Sequence, residues 1–168
     1  MNPRFFQLFL CVLMLFVVGC GGEKKPEGMP ALHKTTLTFT QDGVPLADAT
    51  ITLNPMDAAN NQWPAGGTTD SKGVLKVKTM SKFDGAPAGK FKITVSKTET
   101  EGTLTSVESS DAPGARPAAG NVKMFNLIEK EYRFSNTTAL ELEVKPGKNE
   151  KTFAVGKAIR EAIISRAD

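Results

Sequence analysis

Asp42-Gly43-Val44-Pro45-Leu46-Ala47-Asp48-Ala49-Thr50-Ile51-Thr52-Leu53-Asn54 is the stretch whose reading decides the fold. Asp-Gly is a strong short-range signal for a tight hairpin turn. Pro45 fixes φ and cannot donate to a ladder, so the chain turns before its next strand. From Ala49 onward apolar and polar residues alternate. Ala49, Ile51 and Leu53 fall on one face, and Thr50, Thr52 and Asn54 on the other. A period of two marks a half-buried strand. The same period recurs on both sides of this stretch. Leu37 and Phe39 alternate with threonines, and Leu75 and Val77 with Lys76 and Lys78. Phe91, Ile93 and Val95 alternate with Lys92, Thr94 and Ser96. Leu140, Leu142 and Val144 alternate with Glu141 and Glu143, and Phe153 and Val155 close the series. Turns separate these runs. Asp70-Ser71-Lys72-Gly73 has Asp first and Gly fourth, and Pro146-Gly147-Lys148-Asn149 turns the chain again.

Strands with one apolar face each bury those faces by packing sheet on sheet. No helix–strand alternation appears, which excludes a parallel α/β fold. The expectation is an all-β, seven-stranded antiparallel β-sandwich over residues 35–156. Its seventh strand comes from Gly66–Asp70 or from Leu104–Val107.

The turn and strand just quoted, Asp42 to Ile51, resemble the opening of carboxypeptidase regulatory-like domains. Gly67-Thr68-Thr69-Asp70-Ser71-Lys72-Gly73-Val74-Leu75 resembles that family's second element. Asp84-Gly85-Ala86-Pro87-Ala88-Gly89-Lys90-Phe91-Lys92-Ile93-Thr94-Val95 resembles its Gly- and Pro-bearing strand entry. Lys130-Glu131-Tyr132-Arg133 through Thr137-Thr138-Ala139-Leu140 resembles a feature of small bacterial lipoproteins built on this domain. The resemblance implies a transthyretin-like (prealbumin-like) Greek-key sandwich. It carries over no peptidase residues.

The N-terminus reads separately. Met1-Asn2-Pro3-Arg4 is a short basic start, and Phe5 to Val18 is apolar except for Gln7. That run is about fourteen residues long, short of the roughly twenty that span a bilayer, and has the shape of a signal-peptide core. No Ala-x-Ala type cleavage site follows it. Val17-Val18-Gly19-Cys20 instead resembles a lipobox. There the thiol is the nucleophile that becomes a thioether to diacylglycerol, and the small Gly19 lets a peptidase reach the bond before Cys20. The expectation is a signal peptide over residues 1–19, cleavage between Gly19 and Cys20, and a mature chain anchored by acyl groups such as palmitate on Cys20. Gly21 follows the Cys, not Asp, so the retention signal of enteric bacteria is missing. An outer-membrane location, facing the periplasm or the cell surface, follows as an expectation. Cys11 leaves with the leader, so no disulfide is expected to help the core.

Residues 20–34 carry Gly21, Gly22, Gly28, Pro26 and Pro30 without an apolar period, and read as a flexible tether. Its Lys24 and Lys25 are either solubilising charges or contacts to anionic headgroups. His33, the chain's single histidine, sits there. Two further segments stand apart from the sandwich. Lys97 to Asn121 is polar and rich in Ser, Gly, Ala and Pro, and reads as a long loop. Residues 157–168 space Ile159, Ala162, Ile163 and Arg166 as one stripe of a short C-terminal helix, packed on its own domain or on a partner.

The search for chemistry gives little. One histidine excludes a His-rich metal site, and its place in the tether argues against an ordinary Ser-His-Asp triad. No Gly-x-Ser-x-Gly elbow, phosphate loop or His-Glu-x-x-His stretch occurs. Asp42, Asp70, Asp84 and Asp111 follow no calcium-loop spacing. No catalytic, cofactor or metal residue is assigned, and the chain is expected not to be an enzyme. A carboxylate pair would have to face across a cleft at glycosidase spacing to reverse that. Removing residues 1–19 takes away Arg4 and leaves 20 basic against 18 acidic side chains, a balance that argues against nucleic acid as a partner. Two functions remain. One is a membrane-tethered envelope module, non-catalytic, that is structural or binds a protein partner. The other is a carbohydrate- or peptidoglycan-binding module that uses the loop of Trp63 with Asn60, Asn61 and Gln62. An exposed Trp among amides stacks on a sugar and hydrogen-bonds its hydroxyls; a Trp folded over one end of the core covers apolar area instead.

Overall fold

The computed structural model describes residues 24–102 and 122–163. Cys11, Gly19, Cys20, the Leu104–Val107 segment and Asp111 lie outside them. The described chain is all-β, with four sheets, of which the two larger enclose the core. In chain order its strands are β1 (Leu32–His33), β2 (Thr35–Gln41), β3 (Val44–Pro45), β4 (Thr50–Pro55), β5 (Ala65–Thr68), β6 (Val74–Lys76), β7 (Lys78–Thr79), β8 (Phe83–Asp84), β9 (Ala86–Pro87), β10 (Gly89–Ser96), β11 (Thr98–Glu101), β12 (Lys123–Asn126), β13 (Glu141–Val144), β14 (Asn149–Ala154) and β15 (Glu161–Ala162). One helical turn, α1 (Lys130–Arg133), precedes β13.

The larger sheet has the order β13-β10-β4-β5-β7-β8. Within it β10 returns to lie beside β4, as the fourth strand of a Greek key does. The smaller sheet centres on β2, with β14 on one side and β3 and β6 on the other. Residues 74–79 serve both sheets. Val74–Lys76 pairs with β2, while Lys78–Thr79 pairs with β5. The chain changes sheet at Val77, which is buried. Strands that switch sheets make the corners of such sandwiches. Ala65–Thr68 supplies a strand where the sequence offered Gly66–Asp70, but the strand count differs from the expected seven: fifteen strands form among the described residues. One pairing departs from the antiparallel expectation. β14 runs parallel to β2, from Asn149 opposite Thr35 to Ala154 opposite Thr40.

The core is what the alternation placed there. Leu37 and Phe39 of β2, Ile51 and Leu53 of β4, Phe91, Ile93 and Val95 of β10, and Leu142 and Val144 of β13 are all buried. Phe39 stacks on Phe153 with ring centroids 5.4 Å apart. Two turns show why their residues are needed. Asp42 and Gly43, with φ of 50° and 77°, join β2 to β3 as both central residues of a type I′ turn require. The Asp70–Gly73 turn is held by its own side chain. Asp70 Oδ1 accepts from the N–H of Lys72 and of Val74, each at 2.9 Å. These bonds hold the Asp70 carboxyl below its ordinary range, with the Val74 and Lys72 N–H groups the main causes. Gly73 has φ of 72°, and a Cβ there would lie 2.4 Å from the Phe39 carbonyl oxygen.

Three expectations are corrected. The C-terminal helix over 157–168 does not form among its described residues. Residues 157–160 are irregular and Glu161–Ala162 is a strand on β12. Backbone pairing is available there, and a helix of so few residues is marginal alone. The 97–121 loop is not wholly irregular, because Thr98–Glu101 pairs with Lys123–Asn126. The tether over 20–34 does not stay free to its end, because Leu32–His33 pairs with Ala86–Pro87.

Gly73→Ala is expected to destabilise the domain by several kcal/mol, since it adds a clash to the left-handed backbone. Gly43→Ala, whose Cβ meets nothing within 4 Å, is expected to cost only about 1–2 kcal/mol. Urea midpoints of the two variants check the order. Asp70→Asn is expected to lower the thermal midpoint at neutral pH. A depressed carboxyl stabilises the fold above its unfolded pKa, and that contribution is lost as pH falls through the lower, folded value. The gap between variant and parent should therefore close below about pH 4, as thermal melts across that range will read.

Candidate functional site

The described residues give the domain two distinct ends, fixed by the direction of β2. At one end the chain enters β2 from the tether. His33 lies opposite Ala86 in the β1–β9 pair. The His33 carbonyl accepts from the Thr35 hydroxyl at 2.9 Å, and its Nδ1 accepts from the Gly147 N–H at 3.2 Å. Gly85, with φ of 100°, passes so close that a Cβ would lie 2.5 Å from the His33 carbonyl oxygen. Thr79, fully buried, ties this loop down by donating to the Gly85 carbonyl at 2.8 Å. The single histidine is thus an acceptor that fastens the root of the tether to the β13–β14 turn. Leu32, Lys34, Thr35, Thr36, Lys76, Val77, Asp84 and Gly85 line a cleft of about 370 Å³ beside that root.

The Trp63 loop lies at the same end, between β4 and β5. A short 3₁₀ turn, Ala58–Asn60, is capped by Asp57, whose side chain accepts from the Ala59 N–H. Trp63 is only 7 % exposed. Asn60 is also buried, and its amide donates to the Ala88 carbonyl at 3.0 Å. Asn61 and Gln62 are exposed. The structure therefore does not assemble the sugar platform of the alternative reading, and Trp63 instead covers apolar area. The ring is covered, one amide is spent on the scaffold, and two amides remain without an aromatic face beside them. The spacing Asn-Asn-Gln-Trp carried no sign of this, because burial of the ring depends on how the loop folds back.

Next to this loop, Gly66 leaves a shallow groove on the outer face of the larger sheet, bordered by Thr50, Thr52, Thr68, Lys78 and Met80. No side chain fits at Gly66, since a Cβ would lie 2.2 Å from the Ile51 carbonyl oxygen. Met80 and Ser81 both carry positive φ at the rim. The same outer face carries an ion pair farther along. Lys92 Nζ contacts Glu141 Oε1 at 2.6 Å, and this hydrogen bond, then the ammonium's charge, holds the Glu141 carboxyl below its ordinary range.

The opposite end carries α1 and a three-stranded sheet, β11-β12-β15. Gln41, at the close of β2, reaches it by donating to the Leu127 carbonyl at 3.0 Å and the Lys157 carbonyl at 3.1 Å. The Arg160 guanidinium lies 3.5 Å from the Phe125 ring centroid and pairs with Glu99 and Glu101. Arg133 pairs with Glu161 at 2.6 Å, while its buried Nε has no partner among the described residues. Tyr132 packs against the core, and burial, with Glu131 and Glu129 near, pushes its hydroxyl above the ordinary range. Glu129 and Glu131 border a shallow hollow with Lys130 and Thr137. Glu129 Oε2 is already engaged by the Lys157 N–H at 3.2 Å. Among the described residues, no cluster of three or more His, Cys, Asp or Glu could hold a metal ion. Among them, too, no helix is long and apolar enough to cross a membrane.

No family model matches the chain, and no curated protein matches it. Among solved structures, a 9R-lipoxygenase from Cyanothece PCC8801 is similar over 92 % of this chain, at 14 % identity and a TM-score of 0.35. The chain spans 21 % of that lipoxygenase's length.

The covered ring leads to a direct expectation. Trp63 emission should be blue-shifted, weakly quenched by acrylamide, and unmoved by added peptidoglycan fragments. Trp63→Ala should destabilise the domain by about 3 kcal/mol through lost burial. A red-shifted emission that responds to glycan would restore the sugar platform.

Proposed function

We propose that this chain is a membrane-tethered lipoprotein of the cell envelope whose sandwich is a non-catalytic interaction or structural module. The observation that carries the reading is Val17-Val18-Gly19-Cys20 after an apolar run too short to span a bilayer. The root of the tether supports it. Eleven residues lie between Cys20 and Leu32, a reach of at most about 40 Å. At Leu32 and His33 the chain is pinned to the domain by β1–β9 pairing and by the His33–Gly147 hydrogen bond. A lipid on Cys20 would therefore hold a body whose entry point is fixed, on a short leash.

The anchoring energy is ample in this reading. Each buried CH₂ of an acyl chain contributes about 0.8 kcal/mol, so two or more chains keep the protein on the bilayer. The end bearing α1 and β11-β12-β15 then points away from the attachment point. That end is the one available to a protein partner, and it presents partly exposed Met124, Phe134 and Ile163. A non-catalytic role agrees with how polar groups are used. His33 fastens the tether, Asp70 and Asn149 close turns, and Glu129 holds the Lys157 N–H.

Cys20→Ser is expected to abolish acylation and shift the protein from the membrane fraction to the soluble fraction, or to block its maturation. Globomycin is expected to cause accumulation of an unprocessed precursor of the parent chain. A Cys20→Ser protein that is still processed and fully membrane-bound would overturn the reading.

A further inference from the structure

We infer that the cleft at the root of the tether is a seat for anionic phospholipid headgroups, so that the domain stands on the bilayer in one orientation. The inference rests on the lipoprotein reading above and adds a second contact to it. Two lysines, Lys34 and Lys76, line this cleft, and Leu32 and Val77 contribute to its wall. Among the described residues neither lysine is in an ion pair or a side-chain hydrogen bond. Lys76 acts electrostatically on Asp70, but only as a minor influence. Most other ammonium groups near this end are spoken for. Lys78 faces Asp84, Lys145 faces Glu143, and Lys148 faces Glu150. Lys34 and Lys76 are therefore two cations lining one cleft, whose single carboxylate, Asp84, is faced by a third cation, Lys78, at 4.0 Å.

Their placement gives them a partner. Lys34 directly follows the pinned His33, and Lys76 sits beside Thr36 in the register of β6 with β2. Both are at the end where the chain leaves for Cys20. A bilayer holding the acyl chains is thus the surface this cleft meets first. Phosphate oxygens suit the ammonium groups, and glycerol and upper acyl carbons suit the half-buried Leu32. Lys24 and Lys25, between the lipid site and the cleft, are bracketed by Glu23 and Glu27, so that segment adds no net charge and the preference rests on the cleft. Two lysine contacts of the usual strength give on the order of 30-fold preference for an anionic over a neutral surface.

The test uses the acylated chain extracted from membranes and placed in two vesicle types, phosphatidylcholine alone and phosphatidylcholine mixed with phosphatidylglycerol. Lysines are acetylated with a water-soluble reagent and their rates read by mass spectrometry. On the anionic vesicles Lys34 and Lys76 should react several-fold more slowly than on the neutral ones. Lys72, in the turn at the opposite end, should react alike on both. Salt at about 0.5 M should remove the difference, because it shortens the screening length to a few ångströms. Equal rates for Lys34 and Lys76 on both vesicle types, with the chain still bound and acylated, overturn the headgroup seat alone. Protection of Lys72 in their place also overturns it, since the wrong end would face the bilayer. A chain without acyl mass on Cys20 that leaves the neutral vesicles overturns the anchoring, and this inference with it.

Discussion

The parallel pairing of β2 with β14 is the constraint on which the remaining geometry depends. It joins the first long strand of the domain to the last, over six consecutive residue pairs from Thr35–Asn149 to Thr40–Ala154. Phe39 and Phe153 lie opposite each other in that register and stack, which closes one side of the core. On its other edge β2 binds β6 and β3, so the Asp70–Gly73 turn is drawn against the Phe39 backbone. The two ends of the molecule follow from the direction of this one strand. Its start fixes where the tether leaves. Its close, at Gln41, fixes where α1 and the β11-β12-β15 sheet attach.

Much of this fold is legible in the residues. Alternation at Ala49–Leu53 and Phe91–Val95 marks strands whose apolar faces are buried, since a pleated strand can hide one face only. Asp42-Gly43 and Asp70-Gly73 mark turns because positive φ excludes most side chains. Other features leave no such trace. Thr98–Glu101 is exposed along its whole length, so no apolar period betrays the strand. Ile159, Ala162 and Ile163 are spaced as on a helix, yet backbone pairing with Met124, Phe125 and Asn126 draws the segment into extended form. A parallel pairing of distant strands has no local signature, because each strand looks alike whichever way its neighbour runs.

The candidate site divides in the same way. The pattern behind the proposed lipidation was legible, because it needs one atom type at one position after an apolar run; Cys20 itself lies outside the described residues. The tether root was not legible, because Leu32 and His33 look like linker until Ala86 and Pro87 arrive beside them. Trp63 with its three amides looked like a binding face, and burial of the ring and of Asn60 removed it. Lys34 and Lys76, forty-two residues apart in sequence, become a pair only because β6 lies beside β2. A binding surface assembled by register is invisible to any reading of neighbours along the chain.

In the proposed reading, a lipid on one thiol would give these observations a common purpose, with the body pinned a short reach away. The most direct measurement is the intact mass of the native polypeptide extracted from membranes, with sequencing of its first residue by fragmentation. The account predicts a chain that begins at Cys20 and carries the added mass of diacylglycerol on that residue. A chain that retains Met1 to Gly19, or that begins elsewhere without acyl mass, would contradict it.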